Sequence, residues 1–234
     1  MDFLGLHPYL VANIPVLFII LLTARFCLSP DNRKGAVRSG LYCVPAAIFS
    51  RFHEVDYWHP LRVGGIVPGA EDLIFCFNAG AIAWMAVALK FRDRMSISTA
   101  LGTALRRYAV VSLGCFVLFL GIRLAGVSSM AATVIMCGSA SVVLMILRKN
   151  LRHLAATGVI GFTPVYIIIV GIQFWIWPNY VKYWIADGPW AWTILGFPVG
   201  EIVWAIAFAS FWPVFMGFLW DAGLNRCEES LMAG

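Results

Sequence analysis

Residues 71–91 read EDLIFCFNAGAIAWMAVALKF (Glu71–Phe91), two acids followed by an apolar run that ends at Lys90 and Phe91. About 20 apolar residues make one helical crossing of a bilayer, so this stretch predicts a transmembrane helix with its carboxylates at the starting end. An acid is least costly there, because the first turn of a helix presents unpaired N–H groups and the positive end of the dipole. Six further runs of the same kind flank it: Leu10–Leu28, Ser39–Phe52, Tyr108–Val127, Ser129–Leu147, Leu154–Trp177 and Glu201–Trp220. The run Ser39–Phe52 is short for a crossing and is expected to tilt or to extend into the polar residues after it.

Composition leads the same way. Of 234 residues, 61% are hydrophobic and 12% charged, with a mean hydropathy of +0.84. A soluble domain is about a quarter charged. The chain is therefore expected to be an all-α integral membrane protein of about seven transmembrane helices, a single multi-pass domain over residues 1–234. The net charge of +5 is too small and too dispersed for a nucleic-acid partner and fits basic residues facing anionic lipid. The start, MDFLGLHPYL, lacks a basic segment and a small-residue cleavage site, so no removable signal peptide is expected. Cys27, Cys43, Cys76, Cys115, Cys137 and Cys227 form no CxxC pair and read as small buried apolar residues.

Basic residues sort by connection. Arg33, Lys34 and Arg38 follow the first run; Lys90, Arg92, Arg94, Arg106 and Arg107 follow the third; Arg148, Lys149 and Arg152 follow the fifth. The alternate connections carry only Arg51, Arg62 and Lys182. The positive-inside bias then places the N-terminus outside and the C-terminus in the cytoplasm.

The two long outer connections read HEVDYWHPLRVGGIVPGAED (residues 53–72) and PNYVKYWIADGPWAWTILGFPVGE (residues 178–201). Each has a Tyr-Trp pair (Tyr57-Trp58, Tyr183-Trp184), a Gly/Pro-rich stretch, and a carboxylate where the next helix begins. EDLIF (Glu71–Phe75) then matches GEIVW (Gly200–Trp204), aligning Asp72 with Glu201 and Phe75 with Trp204. This is the pattern of a duplicated three-helix unit, over about 10–91 and 129–220. Two parallel repeats of three crossings need a connecting helix, here about 108–127, to restore orientation.

Acids near hydrocarbon are expensive and usually functional. One isolated acid in a first turn is well explained as a helix cap, but Glu71, Asp72 and Glu201 recur on one membrane side. From Glu71 the i+4 and i+7 positions are Phe75 and Asn78, and from Asp72 the i+3 and i+4 positions are Phe75 and Cys76. From Glu201 they are Trp204 at i+3 and Phe208 at i+7. With Trp58 of the first Tyr-Trp pair, Phe75, Asn78, Trp204 and Phe208 are the candidate substrate-binding residues. A carboxylic acid above an aromatic wall is what protonating an alkene and sheltering a carbocation require.

The two stretches resemble the repeated P-x-E-E-x-x-F motif of the membrane-embedded, non-flavin lycopene cyclases of bacteria, archaea and fungi. The second copy is Pro198-Val-Gly-Glu201-Ile-Val-Trp204, with Gly200 in place of the first acid. The first copy, Pro68-Gly-Ala-Glu71-Asp72-Leu-Ile-Phe75, has one extra residue after the proline. The resemblance implies an isomerase that cyclises a linear isoprenoid, a carotenoid such as lycopene or a related terpenoid, without net redox and without a cofactor. Glu71 and Asp72 would form one acid pair, and Glu201 the acid or base of the other site. The substrate would come from the bilayer, with membrane lipid as the surrounding partner; homo-oligomers or association with other pathway enzymes stay open.

The cluster His53, Glu54, Asp56 and His59 has loop spacing and reads as a polar interfacial segment, with support for the acid pair as a second role; no metal is expected. Arg123 is expected to snorkel or to pair with Glu71, Asp72 or Glu201. Trp175, Trp177, Trp184, Trp190 and Trp192 read as an aromatic belt, some of them lining an apolar entrance. A retinal photoreceptor would need a lysine in the last run, and Glu201–Trp220 has none. The alternatives are a non-catalytic membrane protein of the same fold that binds an isoprenoid or a partner enzyme, and a small transporter.

Overall fold

A computed structural model describes residues 7–91, 95–96, 99–185 and 188–224. The described residues form eight α-helices: α1 (Pro8–Cys27), α2 (Pro30–Cys43), α3 (Ser50–Asp56), α4 (Ala70–Phe91), α5 (Leu101–Leu124), α6 (Ser129–Leu147), α7 (Arg152–Ile176) and α8 (Val199–Leu219). Six of them, α1 and α4–α8, are long and apolar enough to cross a membrane, with α7 extended back to Lys149 by a 3-10 turn. Four two-residue strands, β1 (Met95–Ser96), β2 (Thr193–Ile194), β3 (Phe197–Pro198) and β4 (Gly223–Leu224), pair antiparallel as β1 with β4 and β2 with β3. The expected Arg92, Arg94, Cys227 and the first six residues lie outside the described residues.

Two helices form the middle of the bundle. α4 packs on α1, α2 and α7, and α8 packs on α6 and α7, with α4 and α8 also touching. α5 stands at the periphery and buries only Ala104 and Phe119, leaving Val110, Leu113, Val117 and Leu124 exposed. A helix apolar on every face is stable only where its surroundings are apolar too, so α5 carries the membrane character most directly.

Close approach depends on small residues, since lipid tails remove the hydrophobic drive between helices. A Cβ on Gly80 of α4 would lie 2.7 Å from the Ser39 carbonyl of α2. Ser39 uses that contact, donating to the Gly80 carbonyl at 2.7 Å and accepting from Trp212 Nε1 at 2.9 Å, which ties α2, α4 and α8 together. In α8, Pro213 cannot donate to the Ala209 carbonyl, and Gly158 of α7 packs directly against that freed oxygen.

The segment around the weakest expected span differs from the sequence reading. The helix starts at Pro30, capped by Ser29, so Arg33, Lys34 and Arg38 lie inside α2 and not in a connection. Pro45 then breaks the helix into a 3-10 stretch, Val44–Phe49, before α3. The Ser39–Phe52 run straddles three elements, which is why it looked short. Likewise α5 begins at Leu101 and takes Arg106 and Arg107 into its first turns.

Each end of the bundle has an acid as its tie. At one end Asp56 closes α3, pairs with Arg123 at 2.6 Å and accepts from the Ser129 backbone N–H at 3.1 Å, at the start of α6. At the other end Asp221, just past α8, accepts from Arg107 at 2.7 Å, Arg148 at 2.6 Å and Thr99 at 2.8 Å.

Candidate functional site

Between the helices lies a cavity of about 310 Å³, lined mainly by aromatic side chains. Its wall includes Trp58, Phe75, Asn78, Trp204 and Phe208, the five residues expected to face a substrate, and Glu201. Glu71 and Asp72 are fully buried but do not line it. Of the three acids singled out by sequence, one touches the cavity.

Glu201 sits in the first turn of α8, 6% exposed. Its Oε1 accepts from the Tyr57 hydroxyl and from Trp184 Nε1, both at 2.8 Å, and its Oε2 accepts from the Tyr166 hydroxyl. These three donors are neutral, and among the described residues no cation pairs with Glu201. Below it the aromatic wall is continuous. The Trp204 ring stacks on Phe208 at 5.1 Å, lies 5.1 Å from Tyr166 and packs on Phe75 at 5.7 Å.

Asp72 is held differently. Arg62, its side chain 2% exposed, donates Nε to Oδ2 at 2.7 Å and Nη2 to Oδ1 at 3.3 Å. Gly69 N–H donates at 2.7 Å, Ser50 at 2.9 Å and Tyr9 at 3.3 Å. Five donors saturate the carboxylate, and it meets the cavity only through the Tyr9 and Ser50 hydroxyls that line the wall. Arg62 also pairs with Glu54 at 3.1 Å, and Glu54 with His59 at 3.3 Å. Glu71 accepts from the Val63 backbone N–H at 2.6 Å and does not line the cavity.

Gly200, the position where the resembled motif carries its first acid, has a steric reason. A Cβ there would lie 2.8 Å from Tyr57 Cε2. The missing side chain leaves the space through which Tyr57 reaches Glu201.

The remaining expectations divide. Arg123 pairs with Asp56 and the Val127 carbonyl and with none of the three acids, because its helix ends beside α6. His53 and Asp56 share Ser129, with Asp56 also on Arg123, while Glu54 pairs with His59 and Arg62, so the acidic-histidine cluster divides into two groups. Trp175 and Trp192 are exposed as a belt requires, while Trp184 turns inward to Glu201. Sequence reasoning did not assign Tyr9, Ser50, Tyr57, Arg62, Tyr166 or Trp184 to the acids. The available signal was the tyrosines in or beside apolar runs, Tyr9 and Tyr166 among them, since a buried hydroxyl must find a partner.

Three polar atoms on the cavity wall have no partner among the described residues: Trp58 Nε1, the Tyr180 hydroxyl and Asn78 Oδ1.

Together, fold and site define an all-α, multi-pass membrane type of protein with one neutral-donor carboxyl on the wall of an internal aromatic cavity. Comparison with protein-family profiles, curated proteins and solved structures found no match to this chain.

Proposed function

We propose that the protein is an isomerase that cyclises the end of a linear isoprenoid drawn from the bilayer, with Glu201 as the catalytic residue. The observation that carries this reading is Glu201 itself: an acid on an aromatic cavity wall, held by neutral donors and free of any cation. Protonated Glu201 delivers its proton to a terminal alkene carbon, and the adjacent alkene closes on the tertiary cation so formed. The new ring cation then loses a neighbouring proton to the carboxylate, which restores the acid. Atoms and electrons balance without a cofactor. Tyr57, Tyr166 and Trp184 stabilise the carboxylate during the step, as donors aimed where charge develops. Trp204, Phe75, Phe208 and Tyr166 offer ring faces to the cation, each worth about 0.5–2 kcal/mol. Asp72 is a positioning residue in this scheme, acting through Tyr9 and Ser50.

The same proposal includes seven crossings in two parallel halves. α2, the 3-10 stretch and α3 run continuously from Pro30, beside the α1 end, to Asp56, beside Arg123 at the opposite end. They act as the seventh crossing. The halves also pair reciprocally: Trp58 bridges Trp184, with His59 N–H donating to the Tyr183 carbonyl and Ile185 N–H to the Tyr57 carbonyl, both at 2.8 Å. Those are the two Tyr-Trp pairs, related as a local twofold axis would relate them. In each half the third helix packs on the first two, α4 on α1 and α2, α8 on α6 and α7. The basic residues near the Asp221 end support a cytoplasmic position for it.

The test is expression in a host that accumulates lycopene, with pigment analysis, beside hosts supplying shorter isoprenoids. Ring-containing product that disappears with Glu201→Gln supports the proposal. An expressed, folded protein that yields no ring from any of these substrates overturns it.

A further inference from the structure

The Glu201 end of the cavity holds two hydrogen-bond donors that the protein itself does not use. Tyr180 is 2% exposed and its hydroxyl has no partner, and Trp58 Nε1–H is buried without one. Both side chains line the cavity, and both rings pack on Trp184, Tyr180 at 5.3 Å and Trp58 at 5.6 Å between centroids. Trp184 in turn donates to Glu201. Both residues therefore pack against the tryptophan that holds the acid.

Leaving a buried donor unsatisfied costs about 1–3 kcal/mol, and native proteins rarely leave two together. A purely hydrocarbon occupant would impose that cost at the reacting end of the cavity. Burial, with the Glu201 carboxyl nearby, pushes the Tyr180 hydroxyl well above the usual tyrosine range, so it stays an O–H donor throughout the working pH range. Trp58 can only donate. The missing partner is an acceptor oxygen.

We propose that the ligand of this cavity is an isoprenoid whose end carries an oxygen function, a hydroxyl or a carbonyl, bound by Tyr180 and Trp58 beside Glu201. The proposal rests on the cavity being the isoprenoid site, and it narrows the substrate from a hydrocarbon to an oxygenated chain. It requires no chemistry of its own: the oxygen is recognised on the chain end that carries the alkene Glu201 protonates, and a simple isoprenoid alcohol tests that contact by binding alone.

The probes are geranylgeraniol, a C20 isoprenoid alcohol, and the same chain with hydrogen in place of the hydroxyl. Apparent affinities are read by native mass spectrometry of the purified protein in detergent, for the parent, Tyr180→Phe and Trp58→Phe. The parent should bind the alcohol about fivefold or more tighter than the hydrocarbon, since one neutral hydrogen bond contributes about 0.5–1.5 kcal/mol. Tyr180→Phe should remove most of that preference while leaving hydrocarbon affinity unchanged, and Trp58→Phe should reduce it by a smaller amount. Equal binding of both probes, or a preference untouched by Tyr180→Phe, overturns the oxygen site while keeping the isoprenoid cavity. Failure of both probes to bind a folded protein overturns the oxygen site and the isoprenoid cavity together.

Discussion

Asp72 and Glu201 each lie in the first turn of a central helix, one in α4 and one in α8, and their surroundings differ in kind. Asp72 is saturated by five donors, two of them from a buried guanidinium, and is shielded from the cavity by hydroxyls. Glu201 has three neutral donors and faces the cavity. The residue before each acid decides much of this. Glu71 fills its own space and accepts from Val63, whereas Gly200 leaves room for Tyr57. A carboxylate paired with a guanidinium is a fixed charge that holds structure; a carboxyl among neutral donors can exchange a proton. One acid is suited to anchoring and the other to chemistry.

The largest expected effects test that division directly. Glu201→Gln keeps size and hydrogen-bonding shape but has no transferable proton, so ring formation should fall by about 10²–10⁴-fold or more. Expression and thermal stability should stay near the parent. Asp72→Asn should do the reverse, costing about 1–3 kcal/mol of stability by removing the charged acceptor of five donors and leaving Arg62 to Glu54 alone. Adding Arg62→Met to Asp72→Asn should recover part of the loss, because the buried guanidinium goes and the partly exposed Glu54 keeps His59. Product analysis and thermal unfolding at matched protein levels read both. Equal stability losses for Glu201→Gln and Asp72→Asn would erase the distinction.

How much of this was readable beforehand follows from what hydropathy reports. The six long apolar helices were legible because an uninterrupted apolar run has one reading in lipid. The α2–α3 segment was not: its inner face of Gly35, Ala36, Ser39, Gly40 and Cys43 packs on α4, so polar residues sit within the helix and mask it. At the site, helical spacing placed Phe75, Asn78, Trp204 and Phe208 around the acids, and the structure puts all four on the cavity wall. Spacing along one helix could not supply Tyr57, Tyr166 and Arg62, which arrive from other elements. Nor could it tell that Asp72 would be enclosed, since Arg62 reaches it from a loop ten residues earlier.

A smaller change sharpens the role of Gly200. Gly200→Ala puts a methyl against the Tyr57 ring, and overpacking of this kind costs about 1–3 kcal/mol. Displacing Tyr57 also removes one donor from Glu201, so ring formation should drop about tenfold, the scale of one hydrogen bond to a charged group. Combining Gly200→Ala with Tyr57→Ala should relieve the crowding and return part of the stability while leaving the rate low. A double variant that regains full rate would show that Tyr57 only fills space.

The smallest expected effect belongs to a third acid that shows what exposed cationic partners do. Asp221 lies past α8, outside the membrane-spanning helices, with its side chain 28% exposed. Partial burial alone would raise its carboxyl, but hydrogen bonds from Arg148, Arg107 and Thr99 outweigh that and hold it at about 2. A carboxyl depressed on folding contributes stability above its unfolded value of about 3.9, and that contribution is lost as pH falls toward 2. The tie is therefore constant from pH 5 to 8 and fails only in acid. Exposed ion pairs contribute about 0.2–1 kcal/mol each, so Asp221→Asn should lower the Tm by about 2–4 °C, equally at pH 5 and pH 8. The difference between parent and variant should close below about pH 3. If the parent instead loses this stability between pH 5 and 8, the carboxyl is not held by its arginines, and the reading of cation-paired acids as fixed charges fails at its most accessible example.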